Sequence, residues 1–191
     1  FITNSGTPIT RFVTVTAVTG ERTRPDVSAD KELSTIIVPN GTPGFTVSRE
    51  YSKVGWCASD TRELAFTDCR VPEANLLGEV GRGYAQFLSI LDEGRIAIAA
   101  LATGLAAGCL EESLRYAHER QAFGRPIGAN QAIQFKLADM EMRAHTARLA
   151  WYRAAELMGR GEPFKRESAI AKLYCSEVAV DNARDATQIH G

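Results

Sequence analysis

The sequence predicts an α+β chain in two parts, strand-rich as far as about residue 75 and helical beyond it. Three observations carry that expectation. Alternation at period two, with many β-branched residues, runs through Phe12-Val13-Thr14-Val15-Thr16-Ala17-Val18-Thr19. Composition shifts sharply after Gly78. Three long helical patterns then follow, separated only by short links that carry Gly and Pro.

In chain order, Phe12 to Thr19 is the first clear strand. Thr19 to Lys31 is polar, charged and interrupted by Pro25, so an exposed loop is expected there. Leu33 to Val38, Phe45 to Val54 and Glu63 to Cys69 are further short strands, punctuated by Pro39-Asn40-Gly41, Pro43-Gly44 and Ser59-Asp60. Val71-Pro72-Glu73-Ala74-Asn75 marks a boundary, which gives domains 1–75 and 76–191. The helical patterns cover Gly83 to Arg120, Asn130 to Met158 and Pro163 to Ile189. Asn130 is expected to cap the second helix, Gly159-Arg160-Gly161 to stop it, and Pro163 to occupy the first turn of the third. Helices of that length reach roughly 40 to 50 Å, and short links make them antiparallel neighbours in a bundle. Gly104 and Gly108 stand four apart among Ala99, Ala100, Ala102, Ala106 and Ala107, a pattern that predicts close helix packing.

Composition excludes several function classes. The chain has 191 residues, 45% hydrophobic and 24% charged, with a formal net charge of -1, so no electrostatic footprint for nucleic acid is present. The most apolar stretch, Ile96 to Leu110, is interrupted by Gly104 and Gly108 and is too short for a bilayer, so no membrane span is expected. Cys57, Cys69, Cys109 and Cys175 are scattered without a CxxC pair, which points away from zinc and towards reduced thiols in a cytosol-like compartment. The chain opens on Phe1 without Met and closes on Gly191 directly after a helical pattern, so it reads as an internal piece of a longer polypeptide.

Four clusters could carry chemistry: Phe1-Ile2-Thr3-Asn4-Ser5, Leu91-Asp92-Glu93-Gly94-Arg95, Arg120-Gln121-Ala122-Phe123-Gly124 with Gln131, and Gln188-Ile189-His190-Gly191. Each has an ordinary reading when taken alone. An Arg near a helix end satisfies free carbonyls and complements the dipole, and a charged cluster near a helix start is usually solvated. Taken together and in this order, the clusters resemble the acyl-CoA dehydrogenase family of flavoproteins. The resemblance continues through Leu64-Ala65-Phe66-Thr67-Asp68-Cys69-Arg70-Val71-Pro72, Asn75-Leu76-Leu77-Gly78 and Ala169-Ile170-Ala171-Lys172-Leu173.

The resemblance implies an α+β multidomain fold, with part of a β-barrel or sandwich middle domain followed by an incomplete all-α up-down helical bundle. It implies FAD as cofactor, with Phe1 shielding the flavin, Ile2 beside it and the Thr3 hydroxyl bonded to flavin N5. Arg120, Phe123 and Gln131 would hold the adenine-dinucleotide half of a neighbouring subunit's FAD, with Gln188, Ile189, His190 and Gly191 forming a turn beside it. Asp92 and Arg95 would border the bound acyl-CoA. Isovaleryl-CoA and long-chain members carry their catalytic Glu immediately before the Arg of this helix, where Gly94 stands here. The base is therefore expected beyond Gly191, and a protein cut to these residues is not expected to turn over. The implied reaction is α,β-dehydrogenation of a short or short branched acyl-CoA, with electrons passed to an electron-transferring flavoprotein. An acyl-CoA oxidase using O2 and a non-enzymatic helical-bundle member are the alternatives. The implied assembly is a homotetramer, cytoplasmic or in the mitochondrial matrix, with no nucleic acid, membrane span or metal.

Overall fold

The computed structural model describes residues 2–3, 10–24 and 27–191, and the side chains of residues 10–21 and 31–191. The chain divides into two compact units, Phe1–Leu88 and Ser89–Gly191.

In the first unit, β1 (Ile2–Thr3), β4 (Phe45–Glu50) and β5 (Thr61–Phe66) form one antiparallel sheet in the order β1-β5-β4. A second sheet joins β2 (Phe12–Arg24), β3 (Val27–Pro39) and β6 (Leu76–Leu77) in the order β2-β3-β6. Alternation along β2 turns Val13 inward, buried with Val38, and leaves Thr14, Thr16 and Val18 exposed. Of the loop expected over Thr19 to Lys31, residues 19–24 and 27–31 are instead paired strand, the outer part of the β2–β3 ribbon. The Thr19 hydroxyl lies 2.7 Å from that of Ser34 and donates to Glu32 Oε1 at 3.2 Å, while the register sets Glu21 opposite Lys31. Strand pairing rests on backbone hydrogen bonds and cross-strand pairs, so it persists here without the period-two apolar signal.

β4 stops at Glu50, short of Val54, and β5 starts two residues ahead of Glu63. The Lys53 ammonium folds the connecting loop back on itself, donating to Thr61 Oγ1 at 2.9 Å and to the Ser59 carbonyl. Phe45 and Phe66 stack across the strand pair with centroids 4.9 Å apart. The division between the compact units falls at Leu88/Ser89. β6 pairs with β3, and the Gly81 amide donates to the buried Ser34 hydroxyl at 2.9 Å. A Cβ on Gly83 would lie 2.6 Å from the Ser34 carbonyl carbon, so the first turn of the following helix is pressed on β3.

The second unit holds three helices: α1 (Gly83–Glu119) from Ser89 onward, α2 (Gln131–Gly159) and α3 (Lys165–His190). Buried positions on α1 recur at alternating intervals of three and four: Ile96, Ala99, Thr103, Ala106, Leu110, Ser113 and Ala117. α3 repeats the pattern with Ser168, Ala171, Cys175, Val178, Asn182 and Ile189. Most of these residues are small, so the backbones come close: Asn182, fully buried, donates from Nδ2 to the carbonyls of Ala106 on α1 (3.2 Å) and Met140 on α2 (3.0 Å).

Four local expectations change. Gly104 and Gly108 face outward, with nothing within 4 Å of an added Cβ, and Ala99, Ala102 and Ala106 make the close approach instead. Asn130 precedes α2, but its side chain makes no cap because Oδ1 accepts from Arg125 Nη2 at 3.0 Å. Pro163 lies two residues ahead of α3, whose N-cap is Phe164, with its ring packed on the core. By length and composition alone α1 could cross a membrane, which the interrupted run at Ile96 to Leu110 did not suggest; a core helix carrying this seam passes the same test. The stop after α2 is as expected. Gly161 takes φ +69°, and the amides of Gly161 and Glu162 donate to the carbonyls of Met158 and Leu157 at 3.0 Å each.

Candidate functional site

Arg120 leaves the end of α1 with its amide still donating to the Tyr116 carbonyl at 2.9 Å. The chain then reverses in a small hairpin, β7 (Gln121–Ala122) against β8 (Arg125–Pro126). Its turn residues, Phe123 and Gly124, have φ +54° and +77°, the geometry of a two-residue hairpin turn that suits right-handed strand twist. Glycine adopts that conformation freely, whereas a side chain costs about 1–2 kcal/mol there. The Phe123 ring is nonetheless 100% exposed, so no contact within this chain offsets the cost. The hairpin is firmly seated: the Ile127 amide donates to the Arg120 carbonyl at 2.9 Å, and a Cβ on Gly128 would lie 3.1 Å from the Ala117 carbonyl oxygen. Gln131, exposed, opens α2.

α3 arrives at the same end of the unit. Ile189 is buried with Leu110 and Met140, ringed by Tyr116, Ile127, Ile133 and Leu137. His190 stacks on Tyr116, centroids 4.5 Å apart at 25°, with Nδ1 2.8 Å from the Ala186 carbonyl. Gln188 is exposed, and Gly191 follows at φ +108°. The fold thus gathers Arg120, Phe123, Gln131, Gln188, His190 and Gly191 from three helix ends. Ile189 is the exception. Its side chain belongs to the core, so only its backbone could meet a cofactor. An exposed guanidinium with an exposed amide and aromatic ring suits a pyrophosphate joined to a flat ring system.

Asp92 and Arg95 lie towards the other end of α1, joined as an ion pair. Arg95 lines a surface depression of about 670 Å³ together with Pro163, Lys165, Arg166, Glu167, Ala169 and Lys172. A neighbouring depression of about 420 Å³ is formed by Leu91, Gly94, Arg95, Ile98 and Lys172. Four cations face one carboxylate of the lining, Glu167, which pairs with Arg166 at 3.4 Å. Motif reading passed over Lys165 and Arg166 and carried Lys172 only within Ala169 to Leu173, without a role; the usable signal was Lys165 and Lys172 seven apart on one helix face. Glu93 is exposed, and an added Cβ on Gly94 meets nothing within 4 Å.

Phe1 lies outside the described residues. Ile2 and Thr3 belong to the first unit, where β1 sets them opposite Arg62 and Thr61. Among the described residues, no group of three His, Cys, Asp or Glu side chains could hold a metal ion.

Residues 81–191 match the family model for the acyl-CoA dehydrogenase C-terminal domain. A Bacillus subtilis acyl-CoA dehydrogenase is 45% identical over 191 residues, covering 100% of this chain and 48% of the relative. Butyryl-CoA dehydrogenase from Megasphaera elsdenii superposes with TM-score 0.91 at 39% identity, over 100% of this chain and 48% of that one. A chain from a structural study of the electron transferring flavoprotein of Acidaminococcus fermentans gives TM-score 0.90 at 38% identity, with the same coverage. The chain spans about half the length of the curated relatives it matches.

Proposed function

The chain belongs to the acyl-CoA dehydrogenase family, and from that premise we propose that it forms part of an FAD-dependent enzyme that introduces an α,β double bond into acyl-CoA thioesters. The observation that carries the reading is the separation of two differently equipped ends. Arg95 and Arg120 are twenty-five positions apart along α1, which is roughly 37 Å at helical rise. One FAD does not bridge that distance, so the flavin gripped at Arg120 serves the substrate site of another copy of the chain.

When bound, FAD supplies the acceptor for the hydride that leaves the substrate β-carbon. At the Arg120 end the guanidinium would hold the pyrophosphate, with Gln131, the exposed Phe123 ring and the backbone of Gln188 to Gly191 available to the rest of the dinucleotide. Ile2 and Thr3, on β1, would meet the isoalloxazine ring. At the Arg95 end, Asp92 and Arg95 shape the thioester pocket, while Lys165, Arg166 and Lys172 attract the phosphates of CoA. Glu93 is not assigned the base, because it neighbours the position that carries Glu in some relatives without occupying it.

The name of the Megasphaera elsdenii structure supports a short-chain substrate. The Acidaminococcus fermentans study supports an electron-transferring flavoprotein as acceptor. We read the two three-stranded sheets of the first unit as parts of a β-sandwich, the assembly as a homotetramer, and its location as cytoplasm or mitochondrial matrix. The test is Arg120→Ala in the full-length protein, comparing flavin absorbance with helix content. Flavin occupancy is expected to fall while helix content holds; full flavin retention refutes the reading.

A further inference from the structure

At the cofactor end, a stacked pair of side chains joins α1 to α3. Tyr116 is half-buried beside Leu110, Met140 and Ile189, and the ring of exposed His190 rests on it at 4.5 Å. A carbonyl oxygen only accepts, so the contact to Ala186 at 2.8 Å requires the proton on His190 Nδ1. That bond and the stack together fix the imidazole, although His190 ends its helix and faces solvent. Tyr116 in turn holds the Arg120 amide through its own carbonyl at 2.9 Å. The stack is thus one backbone hydrogen bond removed from Arg120.

We propose that Tyr116 and His190 are positioning residues for FAD: their stacked rings lock the last turn of α1, from which Arg120 emerges, to the last turn of α3, which carries Gln188. The inference rests on the cofactor reading above. Neither ring need touch the flavin. Their effect is to hold two cofactor-gripping segments from distant parts of the chain at a set spacing, so that FAD binds without first ordering them.

The experiment uses the full-length flavoprotein and three variants, His190→Ala, His190→Phe and Arg120→Ala. FAD dissociation constants are measured by flavin fluorescence, beside far-UV melts of each apoprotein. Loss of one aromatic contact should weaken FAD binding about three- to tenfold in His190→Ala. The apoprotein should stay folded at the assay temperature, and saturating FAD should restore full occupancy. His190→Phe keeps a ring on Tyr116 without ring nitrogens, and should bind FAD within about twofold of wild type. Wild-type affinity in His190→Ala overturns the proposal, as does a His190→Phe variant no better than the alanine. If Arg120→Ala itself binds FAD normally, the cofactor reading falls and takes this inference with it. Loss of FAD in Arg120→Ala with none in His190→Ala removes the positioning role alone.

Discussion

Phe123 and Gly94 show how single residues report function by what they do not do for stability. A fully exposed ring held at φ +54° is a local cost that folding of this chain does not require. Gly94 leaves open space on α1 between Leu91 and Ile98, where a side chain would fit. Glu93, next to it, is turned about 100° around the helix. Glu93→Gln in the full-length protein should therefore leave the rate of flavin bleaching by a short acyl-CoA within severalfold of wild type. Loss of a general base costs about 10²- to 10⁴-fold. A collapse of that order, with FAD content and CoA affinity intact, would place the base on α1 after all.

Between α2 and α3 the decisive contact is ionic. Asp185 accepts from Lys136 Nζ at 2.5 Å and from Arg143 Nη1 at 2.8 Å, and is 18% exposed. Burial alone pushes its carboxyl up, but the hydrogen bonds from Lys136 and Arg143 outweigh that and hold it below the usual carboxylate value. A group whose folded pKa is depressed contributes stability above its unfolded pKa of about 3.9 and loses it as pH falls through the folded value. Asp185→Asn should cost about 1–2 kcal/mol at pH 7, since Lys136 and Arg143 remain partly hydrated. The difference from wild type should shrink below about pH 4. Urea unfolding at pH 7 and pH 3 checks both statements, and a deficit that is unchanged at pH 3 would mean that packing, not charge, is what Asp185 supplies. Asn182, one helical turn away, ties all three helices through two carbonyls.

At the scale of the molecule, apolar side chains remain uncovered along α1 (Ile98, Leu101 and Leu105) and α3 (Ile170, Leu173 and Tyr174). Exposed apolar runs of this kind are characteristic of protein, ligand or membrane contact surfaces. The separation of the Arg95 and Arg120 ends makes a sharper forecast. If each site draws Arg95 from one copy and Arg120 from another, Arg95→Ala and Arg120→Ala should each be nearly inactive alone. Co-expressed, random pairing should rebuild about a quarter of the sites, because half of the dimers are mixed and one of their two sites is intact. Activity of the co-expressed sample no greater than that of the separate variants would show that both arginines serve the same copy.

Much of this was legible in the residues themselves. Local chemistry decided it: β-branched alternation at Phe12 to Thr19, the turn at Gly159-Arg160-Gly161, the three helices, and the short motifs whose order resembles one family. Tertiary structure decided what depends on partners distant in sequence. In the polar part of the β2–β3 ribbon, the Thr19 and Ser34 hydroxyls meet across the strands and the register sets Glu21 opposite Lys31. Ile189, part of a motif, is claimed by Leu110 and Met140 for the core, whereas Gly104 and Gly108 are turned outward by the seam of Ala99, Thr103 and Ala106. The cationic depression is assembled from α1 and α3, seventy residues and more apart in the chain. Spacing along a chain says which residues share a face of one helix, and only packing says which face of the next helix they meet.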